Sequence, residues 1–203
     1  MRLLLPEAEI SGKGTVVNVR LEGRDIRVGT FPISIDARQF ERRAREADVV
    51  AKAASLRSDE SNRKVVLGVD RLDYTKGIPE RLFAFGRLFE LFPEWRGKVS
   101  LVQISVPSRG DVPEYAEQRQ LVESAVGRIN GEFGEAHWTP IRYVYRSYGR
   151  NQLAQLFRAA DVCVVSSLHD GMNLVAKEFV AAREDERGVL RSEEHTSELQ
   201  SRT

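Results

Sequence analysis

The sequence predicts an α/β domain built on a doubly wound, Rossmann-like parallel sheet. Two observations carry the prediction. From Lys64 onward, short runs rich in Val, Ile and Leu alternate with longer segments whose apolar residues recur at helical spacing. Those short runs, such as Val65 to Gly68, read as strands buried on both faces, as a parallel sheet covered by helices requires. A chain of 203 residues is also long enough to bury a core of its own.

In order, TVVNVRL and IRVGTFPISID read as extended segments, and DARQFERRAREADVVAKAASL as helix. This opening, residues 1–60, has the character of a domain-crossing segment followed by a long helix. The regular part, residues 61–190, then runs strand KVVLGVD, helix IPERLFAFGRLFELF, strand KVSLVQISV, and a helix from about Pro113 to Phe133. It continues with strand IRYVYR, helix NQLAQLFRAA, strand DVCVVSS, a helix from about Asn173 to Arg183, and a strand beginning GVL. The last segment, RSEEHTSELQSRT at residues 191–203, is polar and unrelated to this pattern. It resembles the in-frame translation of a sequencing-library adapter and is expected to lie outside the native domain, as a polar tail would also.

Composition excludes some functions. With 31 basic against 30 acidic residues, bulk charge gives no nucleic-acid or membrane-surface partner. No apolar run approaches the roughly 20 residues that cross a bilayer, and the start carries no secretory pattern, so a cytoplasmic protein is expected. The single cysteine, Cys163, sits in an apolar run and reads as a small core residue. His137, His169 and His195 lack ligand spacing, and no metal is expected. Neither G-x-G-x-x-G nor G-x-x-x-x-G-K occurs.

In a doubly wound fold, ligands sit beyond the carboxyl ends of the strands. That brings four segments together: Arg71 to Gly77, Pro107 to Val112, Arg146 to Gly149 and Ser166 to Met172. Arg71 and Lys76 lie five apart across a strand-to-helix loop and can converge on one anion, the guanidinium as a planar fork and the ammonium as a point charge. The same spacing allows Arg71 to pair with Asp70 or Asp73 and leaves Lys76 solvated. In LHDGMNLVAKEF, Asp170 and Gly171 end a strand loop, and the backbone from Gly171 to Leu174 can donate at a helix start. Glu178 can accept a ribose diol there, or the segment is an Asn-capped helix with an exposed Glu. Arg109, in a turn between Pro107 and Gly110, is a candidate phosphate reader.

Taken together, VDRLDYTKGIPERL, VPSRGDVPEY, GRINGEFG, HWTPIRYVYRSYGR and DGMNLVAKEFVAAR, in this order, resemble the trehalose-6-phosphate synthases, retaining glycosyltransferases of family 20 with two Rossmann-like domains. The resemblance runs from about Gly29 to Leu190. It implies the C-terminal half of a GT-B glycosyltransferase, truncated at both ends. The parent would transfer glucose from UDP-glucose to glucose 6-phosphate with retention of configuration, with no metal or other cofactor, and the family allows a homo-oligomer. By motif, Arg71, Lys76 and Asp170 would be the catalytic residues. Arg71 and Lys76 would hold the donor diphosphate. Asp170, Gly171, Met172, Asn173, Leu174, Val175 and Glu178 would complete the donor site, and Arg109 would bind the acceptor phosphate. His169 departs from the family, where Arg commonly precedes the Asp-Gly. The preceding domain supplies most acceptor contacts in the family, so a glucosylglycerol-phosphate synthase and a non-catalytic nucleotide-sugar-binding module are the competing readings.

Overall fold

The computed structural model describes residues 9–12, 15–30, 33–60, 63–108, 113–170 and 172–192. The chain divides into two compact units, Met1–Ser34 and Ile35–Thr203.

The first unit is an antiparallel meander of β1 (Glu9–Ser11), β2 (Val16–Leu21) and β3 (Arg24–Gly29). Glu22 and Gly23 both take positive φ, the two-residue hairpin geometry that suits the twist of paired strands. Register sets Val17 opposite Val28 and Val19 between Ile10 and Ile26, so one face is apolar. The extended segment expected to run through IRVGTFPISID is a strand only to Gly29; Ile33 to Asp36 form no strand, and Phe31 and Pro32 lie outside the described residues.

The second unit opens with α1 (Ala37–Ala44) and α2 (Ala47–Ser58), where the sequence pattern suggested one long helix. The break follows from burial. Phe40 and Ala44 face the core, as do Val49 and Ala53, but the five-residue step from Ala44 to Val49 would turn a continuous helix by roughly 140°. Extended backbone at Glu46 restores the register. Asp36 caps α1 by accepting from Gln39 N at 2.9 Å.

The rest follows the predicted alternation: β4 (Lys64–Arg71), α3 (Ile78–Leu91), β5 (Val99–Val106), α4 (Pro113–Phe133), β6 (Ile141–Tyr145), α5 (Arg150–Ala159), β7 (Val162–Val165), α6 (Leu174–Ala182) and β8 (Val189–Ser192). The five strands are all parallel in the order β6-β5-β4-β7-β8. Pairing in β8 continues through Arg191 and Ser192, opposite Val164 and Val165; residues 193–203 of the polar tail lie outside the described residues.

Helices cover both faces. On one, Phe157 packs between Phe40 and Phe179 at ring separations of 6.0 and 6.1 Å, against Leu67, Val69 and Val165. On the other, Phe89 packs against Phe85, Phe133 and Trp138, over Leu101 and Ile141. Cys163 is fully buried in the first core, and burial pushes its thiol up to about 12, which removes it from thiolate chemistry.

Gly77, between β4 and α3, has φ of 60°, and a Cβ there would stand 2.5 Å from the Ser166 carbonyl oxygen. Gly77→Ala is therefore expected to lower unfolding free energy by about 3 kcal/mol, from backbone strain and overpacking together. Urea denaturation checks this; an unchanged midpoint would mean that the two loops can separate freely.

Candidate functional site

Strand order reverses between β4 and β7. β4 leads through α3 to β5 on one side, whereas the chain later returns to place β7 on the other side. The loops that leave β4 and β7 diverge to opposite faces, and such a reversal opens a crevice at the carboxyl ends of the strands.

The loop after β4 carries Arg71, Asp73 and a 3-10 turn, Tyr74–Lys76. Asp73 organises it, accepting from Thr75 N at 3.0 Å, from Thr75 Oγ1 at 2.8 Å and from the Tyr115 hydroxyl at 3.3 Å. Burial pushes the Asp73 carboxyl up, but these hydrogen bonds and the Arg71 charge outweigh it and hold the group below the usual range. The loop after β7 is laid against this turn: Leu168 N and His169 N both donate to Thr75 O, at 2.8 and 3.2 Å.

Across that seam Lys76 Nζ donates to Asp170 Oδ2 at 2.5 Å, with the two side chains only 12% and 15% exposed. Asp170 Oδ2 also accepts from Asn173 Nδ2 at 3.1 Å and Ser167 Oγ at 3.3 Å. Burial pushes the Asp170 carboxyl up; the Lys76 hydrogen bond and charge, with Asn173 and Ser167, overcome this and leave it depressed. A lysine and a carboxylate 94 residues apart in sequence thus face one another at the switch point.

The other candidates fall around this pair. Arg71 ends β4, and its guanidinium, 59% exposed, stands 3.8 Å from Asp73; Asp70 is instead paired with Arg81. Asn173 caps α6, its Oδ1 accepting from Ala176 N at 3.3 Å. Leu174 and Val175 open that helix, where backbone N–H groups have no intrahelical acceptor. Met172 Sδ lies 3.0 Å from Lys177 Nζ. Glu178, half-buried on α6, has its carboxyl raised by burial, against a lowering pull from Arg150. Arg109 and Gly171 lie outside the described residues.

Motif reasoning missed the polar groups beneath the crevice: Arg81, Asp70, Gln103 and Ser166. The signal was present, because Arg81 stands three residues after Ile78 and four before Phe85, a cation on the apolar stripe of α3. A separate hollow of about 660 Å³ beside α3 is walled mainly by apolar side chains, among them Val66, Phe85, Leu101 and Val164, with Glu80, Arg81, Ser166 and Arg191 also lining it. Among the described residues no group of three His, Cys, Asp or Glu could hold a metal ion, and no helix is long and apolar enough to cross a membrane.

This Rossmann-like parallel sheet matches the fold of the GT-B glycosyltransferases. The sequence pattern of Glycosyltransferase family 20 matches residues 2–199, and the chain belongs to that family. It is 46% identical over 183 residues to an α,α-trehalose-phosphate synthase (UDP-forming) of Candida albicans, covering 90% of this chain and 38% of that protein. Among solved structures, the Burkholderia xenovorans α,α-trehalose-phosphate synthase in complex with glucose-6-phosphate superposes with a TM-score of 0.83 at 40% identity, over 92% of this chain and 42% of that one. An E. coli protein solved with UDP-2-fluoro glucose bound gives 0.81 at 37% identity, over 92% of this chain and 41% of that one. The chain thus spans about four-tenths of the length of these relatives.

The depressed Asp170 carboxyl contributes stability that is present above the ordinary aspartate range and is lost as pH falls through its folded value. Asp170→Asn is expected to flatten the acid limb of the stability profile and, with Lys76 left unpaired, to cost about 2 kcal/mol at neutral pH. Urea midpoints between about pH 2 and 7 test both parts; an acid limb as steep as wild type would remove Asp170 as its source.

Proposed function

We propose that this domain is the nucleotide-sugar half of a UDP-forming α,α-trehalose-phosphate synthase. The observation that carries the reading is the Lys76–Asp170 pair at the switch point between β4 and β7. It stands in a chain whose relatives include a protein solved with UDP-2-fluoro glucose and another solved with glucose-6-phosphate.

In this reading the lysine and the aspartate neutralise each other at the crevice floor. A diphosphate brings four or so acceptor oxygens of its own, so Lys76 exchanges its carboxylate partner for phosphate. Asp170 is then released to accept from hydroxyls of the transferred glucose. Arg71, exposed at the end of β4, closes on the same diphosphate. The N–H groups of Gly171 to Val175 donate to the donor from the start of α6, and Glu178 accepts from the ribose hydroxyls. Arg109 takes the phosphate of the acceptor, glucose 6-phosphate.

Chemistry follows from where charge develops. The bond from C1 of glucose to the diphosphate oxygen breaks, and negative charge grows on the departing UDP. Lys76 and Arg71 stabilise that charge most when it is greatest, which is the requirement for lowering a barrier rather than only binding a substrate. The acceptor hydroxyl oxygen bonds to C1 from the face the leaving group vacates, and its proton passes to the diphosphate. Configuration is retained without a covalent enzyme intermediate.

Isothermal titration of UDP into the chain tests the reading. Binding is expected, with Lys76→Met weakening it between about tenfold and a hundredfold through loss of a charge-assisted hydrogen bond. No heat and no shift of the melting temperature with millimolar UDP would sink it. A second outcome concerns pH. The carboxyl of Glu178 is raised, so UDP affinity should increase as pH climbs past the ordinary glutamate range and the group ionises. Glu178→Gln should remove that component of the profile while the phosphate's own titration persists.

A further inference from the structure

A buried polar tie lies directly beneath the crevice, and none of the roles above uses it. Arg81, one turn into α3, donates from Nη1 to Asp70 Oδ2 at 2.6 Å and to Gln103 Oε1 at 2.9 Å, and from Nε to Ser166 Oγ at 3.0 Å. One guanidinium thereby joins the end of β4, the middle of β5 and the start of the loop after β7. The Arg81 and Asp70 side chains are 4% and 2% exposed, and Gln103 is fully buried, its Nε2 donating to Ile104 O at 3.1 Å. The backbone is shaped to admit this group: a Cβ on Gly68 would fall on both Gln103 Oε1 and Arg81 Nη1.

Packing alone does not account for it. Well-fitted apolar side chains fill a buried position at least as stably as an ion pair, and here the Nη2 of Arg81 is buried with no acceptor among the described residues. What apolar side chains lack is direction. Hydrogen bonds of fixed geometry hold three segments in one register, and the planar fork of arginine has donors enough to reach all three.

The register matters because of what hangs from it. Ser166 lies four residues before Asp170, and Arg81 five after Lys76. Between them the two loops touch at the Thr75 carbonyl, which accepts from Leu168 and His169, and at the close approach of Gly77 to Ser166. We propose that Arg81 is a positioning residue: it fixes the loop after β7 against the loop after β4 and so sets Asp170 opposite Lys76. Its consequence for donor binding rests on the nucleotide-sugar reading above, whereas the register does not.

The test replaces the ion pair with apolar groups, in the double variant Asp70→Leu/Arg81→Met of the full 203-residue chain. Amide hydrogen exchange is followed by NMR at Leu168 and His169, whose N–H groups close the seam, and at Leu101, whose N–H bonds to Pro140 O away from it. The apolar pair is expected to melt close to wild type, while exchange at Leu168 and His169 accelerates about tenfold or more relative to Leu101. UDP affinity should fall by about tenfold in the same variant. Ser166→Ala removes one hydroxyl, spares the buried charges, and should give the same selective loss if the double variant fails to fold. Unchanged exchange at Leu168 and His169 relative to Leu101 overturns the proposal, as does UDP affinity equal to a wild type that binds it. A wild-type chain with a protected seam, a variant with an open one, and no UDP binding by either supports the positioning role and overturns the nucleotide-sugar reading instead.

Discussion

The reversal of strand order between β4 and β7 is the constraint on which the rest of the α/β unit depends. Crossovers between parallel strands are right-handed, so a chain that adds β5 and β6 on one side of β4 places α3 and α4 on one face. When it returns to add β7 and β8 on the other side, α5 and α6 must lie on the opposite face, joined there by α1 and α2. Two cores result from one sheet. The inner strands β4 and β5 are buried on both sides, which is why β4 is almost continuously apolar and why β5 buries even Ser100, Gln103 and Ser105. The loops after β4 and β7 lead on to helices on opposite faces but meet at the strand ends, where Thr75 O accepts from Leu168 and His169 and Lys76 pairs with Asp170.

Polar groups are distributed along β4 and β7 in a way that suits this geometry. At the carboxyl ends, Arg81 binds Asp70 and Ser166 below the crevice, and Lys76 binds Asp170 at its floor. At the amino ends, Asp161 opens β7 by accepting from Val65 N at 2.8 Å and pairing with Arg57 at 2.7 Å. The central strand pair is therefore pinned at both ends by side chains of opposite charge. The bond at the amino end is shared with backbone and with partly exposed cations, where water screens the pair. The one at the carboxyl end is buried, and hydrogen bonds there have both the strength and the direction to define a site.

The groups that face the crevice differ from those that support it in how far they are committed. Arg71 is largely exposed, with a loose contact to Asp73, whereas Lys76 and Asp170 are enclosed and already paired. The enclosed pair is ordered by its own hydrogen bond, so both side chains already stand in fixed positions at the switch point. Glu178 is the opposite case. It is half-buried, with its carboxyl raised by desolvation, a cost that Arg150 offsets only in part.

The sequence by itself determined the strands and helices of residues 64–192 to within a residue or two at most boundaries, because burial on two faces imprints a local pattern on each. It also pointed to Lys76, Asp170 and Asn173 through spacing and turn chemistry. Local pattern could not decide that the helix after Asp36 breaks at Glu46, since that depends on α1 meeting α6 while α2 meets α5. Nor could it decide that Asp70 pairs with Arg81 rather than with Arg71, or that Lys76 meets Asp170 rather than solvent. Those choices are made between residues brought together only by the order of the strands. A charge buried in a core must take whichever partner the topology supplies, and topology is a property of the whole sheet rather than of any segment.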